Sequence, residues 1–132
     1  MAERIKLGVY GSFLYLDNLD KKKQTIIVLY SCYTGYGDNS FGQQLSKKLE
    51  SSIVIAPAGA VWAGINSDGQ TTIDNAENIG TAEKPVKGPR CSWNIFVNGK
   101  KVMSFRHPAP QAWINKQGGI NAVINKINQQ NE

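Results

Sequence analysis

A small α/β domain is what the sequence predicts, on three observations. The run Thr25-Ile26-Ile27-Val28-Leu29-Tyr30 is continuously apolar and β-branched, as in a central strand covered on both faces. A glycine-bearing loop, Ser31 to Asn39, follows and leads to a helix-start signal at Ser40. A second apolar strand, Ile53-Val54-Ile55, is then closed by Ala56-Pro57. Strand, loop, helix and strand over residues 25–56 make a βαβ unit, which implies a right-handed crossover and parallel pairing. The expected architecture is therefore a small, mainly parallel sheet with flanking helices, followed by a C-terminal β-hairpin and helix.

Each element has its own signal. Ile5, Leu7 and Val9 alternate with polar or small residues, giving a first strand that ends at Gly11. Phe13 to Leu16 is a short second strand or the far arm of a turn at Gly11-Ser12, and Asp17 to Gln24 is a polar connector. Ser40 with Gln43 three residues on matches a capping box, and Phe41, Leu45 and Leu49 form the apolar stripe of a helix ending near Ser51. Residues 58–90 read as a short strand around Val61-Trp62, a turn at Asp68-Gly69 and a long irregular connection. Asn98-Gly99, between Ser92 to Val97 and Lys101 to Phe105, is a two-residue hairpin signal. Pro108 and Pro110 break the chain. Ile120, Val123, Ile124 and Ile127 mark one face of a last helix.

The bulk numbers set limits. A chain of 132 residues is the usual size of one domain, so residues 1–132 are taken as a single unit. No apolar run is long enough to span a membrane, and Met-Ala-Glu-Arg-Ile-Lys lacks the apolar stretch of a secretory signal. A cytoplasmic location is expected for the chain as given. Two cysteines, Cys32 and Cys91, are too few for a disulfide scaffold, and with one histidine they offer no metal site. No cofactor motif is present either; Gly35-Tyr36-Gly37 falls far short of a nucleotide fingerprint. Residues 1–83 carry seven basic and nine acidic side chains, a net of −2, whereas residues 84–132 carry eight basic and one acidic, a net of +7. The basic side chains are scattered and match no nucleic-acid motif, so a protein or peptide is the favoured partner.

Candidate chemistry centres on Cys32, at the carboxyl end of the apolar strand where open α/β sheets bind ligands. A thiolate nucleophile needs a lowered pKa and access, and free loop amides near a helix start supply positive potential and an oxyanion site. Gly35, Tyr36, Gly37 and Asp38 would then contact substrate, with Trp62 as a groove wall. Equally, a cysteine at a strand end serves as a small core residue. His107, the one histidine, is the candidate base.

The segments Ser31-Cys32-Tyr33-Thr34-Gly35, Ser40-Phe41-Gly42-Gln43-Gln44-Leu45, Ile53-Val54-Ile55-Ala56-Pro57 and Val61-Trp62, in that order, resemble C-terminal domains of bacterial polymorphic toxins. Those domains are similar to caspase-like cysteine peptidases, which include the gingipains and the self-cleaving domains of large clostridial and RTX toxins. The resemblance covers about residues 5–65. It implies a caspase-like sheet, Cys32 as nucleophile for acyl transfer on a peptide or amide, a toxin or effector setting, delivery to another cell by a secretion system, and a cognate immunity protein as partner. In that superfamily the preceding strand ends in His-Gly and the histidine is the base; Val9-Tyr10-Gly11 stands there, and Tyr10, with a reference pKa of about 10, is a poor base at neutral pH. Two other readings stand beside this one: a catalytically degenerate binding module, and a nucleic-acid-directed toxin using the basic C-terminal half.

Overall fold

The computed structural model describes residues 25–130 and, before them, the backbone of residues 5–9 and 12–16. Strands β1 (Ile5–Val9) and β2 (Ser12–Leu16) pair antiparallel. The connector at 17–24 lies outside the described residues, as does Tyr10. A four-stranded sheet follows, built from β3 (Thr25–Val28), β4 (Ser52–Pro57), β8 (Trp93–Val97) and β9 (Lys100–Phe105) in that spatial order. Helix α1 (Phe41–Lys48) connects β3 to β4. A second, three-stranded sheet holds β5 (Ala60–Ile65), β6 (Thr71–Asn78) and β7 (Lys87–Arg90), and two helices, α2 (Pro110–Gln117) and α3 (Ile120–Gln130), end the chain.

The period-two geometry of a strand sorts the core into two layers. Val54, Ala56 and Phe96 face α1 and pack with Leu29, Leu45 and Leu49. Ile53, Ile55, Trp93 and Ile95 face the other way and meet Trp113, Ile114, Val123 and Ile127 of α2 and α3. The second sheet adds Val61 and Ile73 to that cluster. Each fully buried aliphatic or aromatic side chain here contributes about 1.5–3 kcal/mol. α1 begins as the capping signal predicts: the Gln43 amide donates to Ser40 Oγ at 3.2 Å, while Gln43 Oε1 accepts from the Asn39 amide at 2.9 Å, one residue earlier than a standard box.

The mainly parallel, caspase-like sheet is corrected by this topology, which is mostly β. Among the described residues only β3 and β4 pair in parallel; the β4–β8, β8–β9, β5–β6 and β6–β7 pairings are antiparallel. The reason is in the connections. A parallel pair needs a long crossover, which the segment carrying α1 provides; tight turns return the chain beside itself at β5–β6 and β8–β9, and between β4 and β8 the chain makes the second sheet and comes back antiparallel. Asn98 and Gly99, at φ 52° and 79°, make the predicted hairpin turn between β8 and β9. Gly69, at φ 78°, lies in the β5–β6 turn, and the segment expected to be irregular instead forms two strands of a sheet. The apolar run of β3 is an edge strand, partly buried, and the fully buried central strand is β4. Pro110 does not stop the chain but opens α2, where a missing N–H costs nothing.

The two sheets are joined where β4 passes to β5 at 58–59 and β7 passes to β8 at 91–92. These bends touch, with the Ala58 amide donating to Ser92 O at 2.9 Å. Asn75 of β6, wholly buried, holds both. Its Oδ1 accepts from the Gly59 amide at 2.9 Å, and its Nδ2 donates to Ser92 O at 2.7 Å and Cys91 O at 3.3 Å. Asn75→Ala should remove the side-chain partner of the Gly59 amide and of the Cys91 and Ser92 carbonyls, of which Ser92 O keeps the Ala58 amide, and cost roughly 2–4 kcal/mol. Asn75→Asp should also destabilise, by facing a carboxylate oxygen to two carbonyls. Urea unfolding reads both, and unchanged midpoints would refute the bracket.

Candidate functional site

The loop after β3 runs across the end of β4 and is seated there by its own backbone. The Leu29 amide extends the parallel ladder to Ile55 O at 2.9 Å. Beyond it, the Tyr33 amide donates to Gly59 O at 2.8 Å, Thr34 to Ser31 O at 3.4 Å, Gly35 to Pro57 O at 2.8 Å and Tyr36 to Tyr33 O at 3.2 Å. Asn94 Nδ2 donates to Gly35 O at 2.8 Å, and the Gly42 amide of α1 donates to Thr34 O at 2.7 Å. Tyr33, Gly37 and Asn39 turn the chain at φ 60°, 71° and 59°. A left-handed Tyr33 is uncommon and persists because bonds on both sides hold it.

Those bonds bear directly on the expected oxyanion site. Amides 33–36 all point at carbonyls of the protein itself, so none of the four faces a substrate. Cys32 is half-buried, and its Sγ accepts a hydrogen bond from the Val61 amide at 3.2 Å. His107 is exposed, two residues past β9. β3 and β9 are opposite edges of the sheet, three strand spacings or about 14 Å apart. No hydrogen bond joins Cys32 to His107 among the described residues. Tyr10 lies outside them.

The remaining predicted contacts divide between two places. Trp62 is half-buried on β5, and its Nε1 donates to Ala76 O on β6 at 3.1 Å, a bond within the second sheet. Tyr36 is largely exposed and stands edge-on to Tyr33, with ring centroids 6.2 Å apart. Gly35, Gly37 and Asp38, by contrast, line a cleft of about 190 Å³ together with Gln43, Asn94, Phe96 and Lys101. At about 30 Å³ per water, that is room for roughly six waters. Cys32 is not part of its wall.

Asn94, Phe96 and Lys101 belong to no motif, so sequence reasoning missed them. The signal present in the sequence is Asn94 itself, a polar residue inside the apolar strand Trp93-Asn94-Ile95-Phe96. It is buried and fixed on both sides of its amide: Oδ1 accepts from Ser92 Oγ at 2.8 Å while Nδ2 holds Gly35. Gln43 does more than cap its helix. It also reaches the hairpin turn, Nε2 donating to Gly99 O at 2.9 Å. Ser46 Oγ accepts from the Gly99 amide at 2.9 Å, so α1 grips the β8–β9 turn at both polar atoms of one residue.

The two cysteines differ in surroundings. Burial pushes the Cys91 thiol above its ordinary range, the Glu77 carboxylate adds to this, and Arg106 opposes it. At pH 8 the thiolate fraction of Cys91 is therefore below that of a free thiol. Alkylation of Cys91, followed by peptide mapping, should run slower than for an unstructured cysteine peptide; faster labelling would contradict the assignment. The loop gives a second outcome. A Cβ on Gly35 would sit 2.4 Å from Ala56 O, so Gly35→Ala should cost about 3 kcal/mol. Gly37→Ala meets no atom within 4 Å and should cost about 1 kcal/mol, for its positive φ alone. Equal thermal shifts for the two variants would count against this seating of the loop.

Against known proteins, a family model described as a domain of unknown function (DUF8616) matches residues 15–73, which span the Cys32 loop, α1 and β5 but stop short of Asn75, Asn94 and Lys101. No curated protein and no solved structure matches the chain.

Proposed function

We propose that this domain is a non-catalytic recognition module, which takes a small polar ligand in the cleft between the Gly35–Asp38 loop and the β8–β9 hairpin. The observation that carries the reading is the inward bonding of amides 33–36, which leaves the Cys32 loop without those oxyanion donors. The cleft, lined on one side by the same loop, is concave, with a buried floor at Gly35, Asn94 and Phe96 and a polar rim at Asp38, Gln43 and Lys101. Concave sites with a few convergent polar groups are where proteins bind small molecules.

Acyl transfer by Cys32 is the second reading. The partial exposure of Cys32 favours it, because a nucleophile needs access.

Two measurements separate the readings. Iodoacetamide at mildly acidic pH should label Cys32 no faster than a simple thiol; markedly faster labelling would support the nucleophile. In an amide-resolved NMR screen against small polar compounds, Gly35, Gly37 and Lys101 should shift together, and Cys32→Ala should keep that response. A library that perturbs other surfaces and leaves these residues unmoved would reject the cleft as the binding site.

A further inference from the structure

The charges and the buried floor of the cleft specify a ligand class, which rests on the reading of the cleft as a binding site. Asp38 and Lys101 both line it and have opposite charges. Among the described residues neither side chain takes part in a salt bridge or hydrogen bond, although Asp74 elsewhere pairs with both Lys87 and Arg90. An anion and a cation that share a small cleft without closing on each other leave two complementary subsites. The floor adds a third feature. Asn94 is 6% exposed, and its Nδ2 carries two hydrogens, of which Gly35 O takes one. The second has no protein acceptor among the described residues, so it is free to donate to a molecule in the cleft that Asn94 lines. Phe96, on the same strand as Asn94, gives the floor an apolar surface.

We infer that the ligand is a small zwitterion with a carboxylate and an ammonium group, a free α-amino acid being the simplest case. Its carboxylate accepts from Lys101 Nζ and the second Asn94 amide hydrogen, its ammonium donates to the Asp38 carboxylate, and its hydrocarbon part rests on Phe96. The volume of about 190 Å³ is enough for such a molecule. Both bonds to charged groups are charge-assisted and directional, so a monopolar compound satisfies only half the site.

The test uses the full chain, isotope-labelled, titrated separately with glycine, L-serine, acetate and ethylammonium. Glycine or serine should shift Gly35, Gly37, Lys101 and the Asn94 side-chain amide along one saturable curve. Acetate and ethylammonium should each bind at least roughly tenfold more weakly. Asp38→Asn and Lys101→Gln, both at exposed positions and safe for folding, should each reduce zwitterion affinity by a similar factor, and Lys101→Gln should remove any response to acetate. Acetate binding as tightly as glycine would overturn the zwitterion assignment. If neither amino acid binds but another small polar compound saturates the same resonances, the ligand class fails while the cleft stands. If nothing tested moves those resonances, both readings fall.

Discussion

Two bends of the chain meet at one point, and a single side-chain amide completes the bonding that their own Ala58–Ser92 contact leaves unfinished. Asn75 supplies one acceptor to Gly59 and two donors to Cys91 and Ser92, so it completes bonding that neither sheet could complete alone. A side-chain carboxamide is the natural filler because it presents the same groups as a peptide. No Cβ fits at Gly59, where it would lie 2.7 Å from Cys91 Sγ and 2.8 Å from Asn75 Oδ1. The candidate site hangs from this junction. Gly59 O receives the Tyr33 amide, and Val61, two residues on, donates to Cys32. The bracket thus determines where the Cys32 loop crosses the sheet.

Seating the loop so firmly has a consequence for chemistry. Gly35 lies flush against the Ala56 backbone, and Gly42 brings α1 against the Ala56 side chain, where a Cβ would sit 2.8 Å from it. Such contact demands that the loop bond inward, since buried amides must find partners. A loop whose amides 33–36 are engaged this way is rigid, which suits a binding wall. It does not suit a loop that must present those amides to a reacting carbonyl. The opposite face of the same loop stays open toward β8 and β9, and there the cleft forms.

Several basic side chains of the C-terminal half have separate surroundings. Lys87 and Arg90 both meet Asp74, and Lys126 donates to Gln117, while Lys101 lies at the cleft. On β9, Ile95 opposes Met103 and Phe96 opposes Lys101, which leaves Val102 as an extra residue. Such a bulge, flanked by exposed Lys100 and Lys101, discourages strand pairing at that edge. Lys100 and Lys101 thus guard an edge, while Lys87 and Arg90 serve a local pairing with Asp74.

Local physics explains which parts were legible in the sequence. The β3–α1–β4 unit, the Ser40 cap, the Asn98-Gly99 hairpin and the last helix each depend on contacts between near neighbours or on one period of hydrophobicity, and the chain alone determined them. Sheet direction, the identity of the central strand and the role of β6 depend on which strands become neighbours, and here only the tertiary structure decided. β6, with Asp74, Asn75 and Asn78, shows no apolar alternation because its buried polar residue is satisfied by groups sixteen and seventeen positions away. The cleft has the same origin: Gly37 and Asp38 were visible from the loop, but Asn94 and Lys101 reach it from a hairpin some sixty residues later, bridged by the bond from Asn94 to Gly35 across 59 positions. No local pattern encodes such a meeting, because what enforces it is the burial of unsatisfied polar groups in the assembled fold.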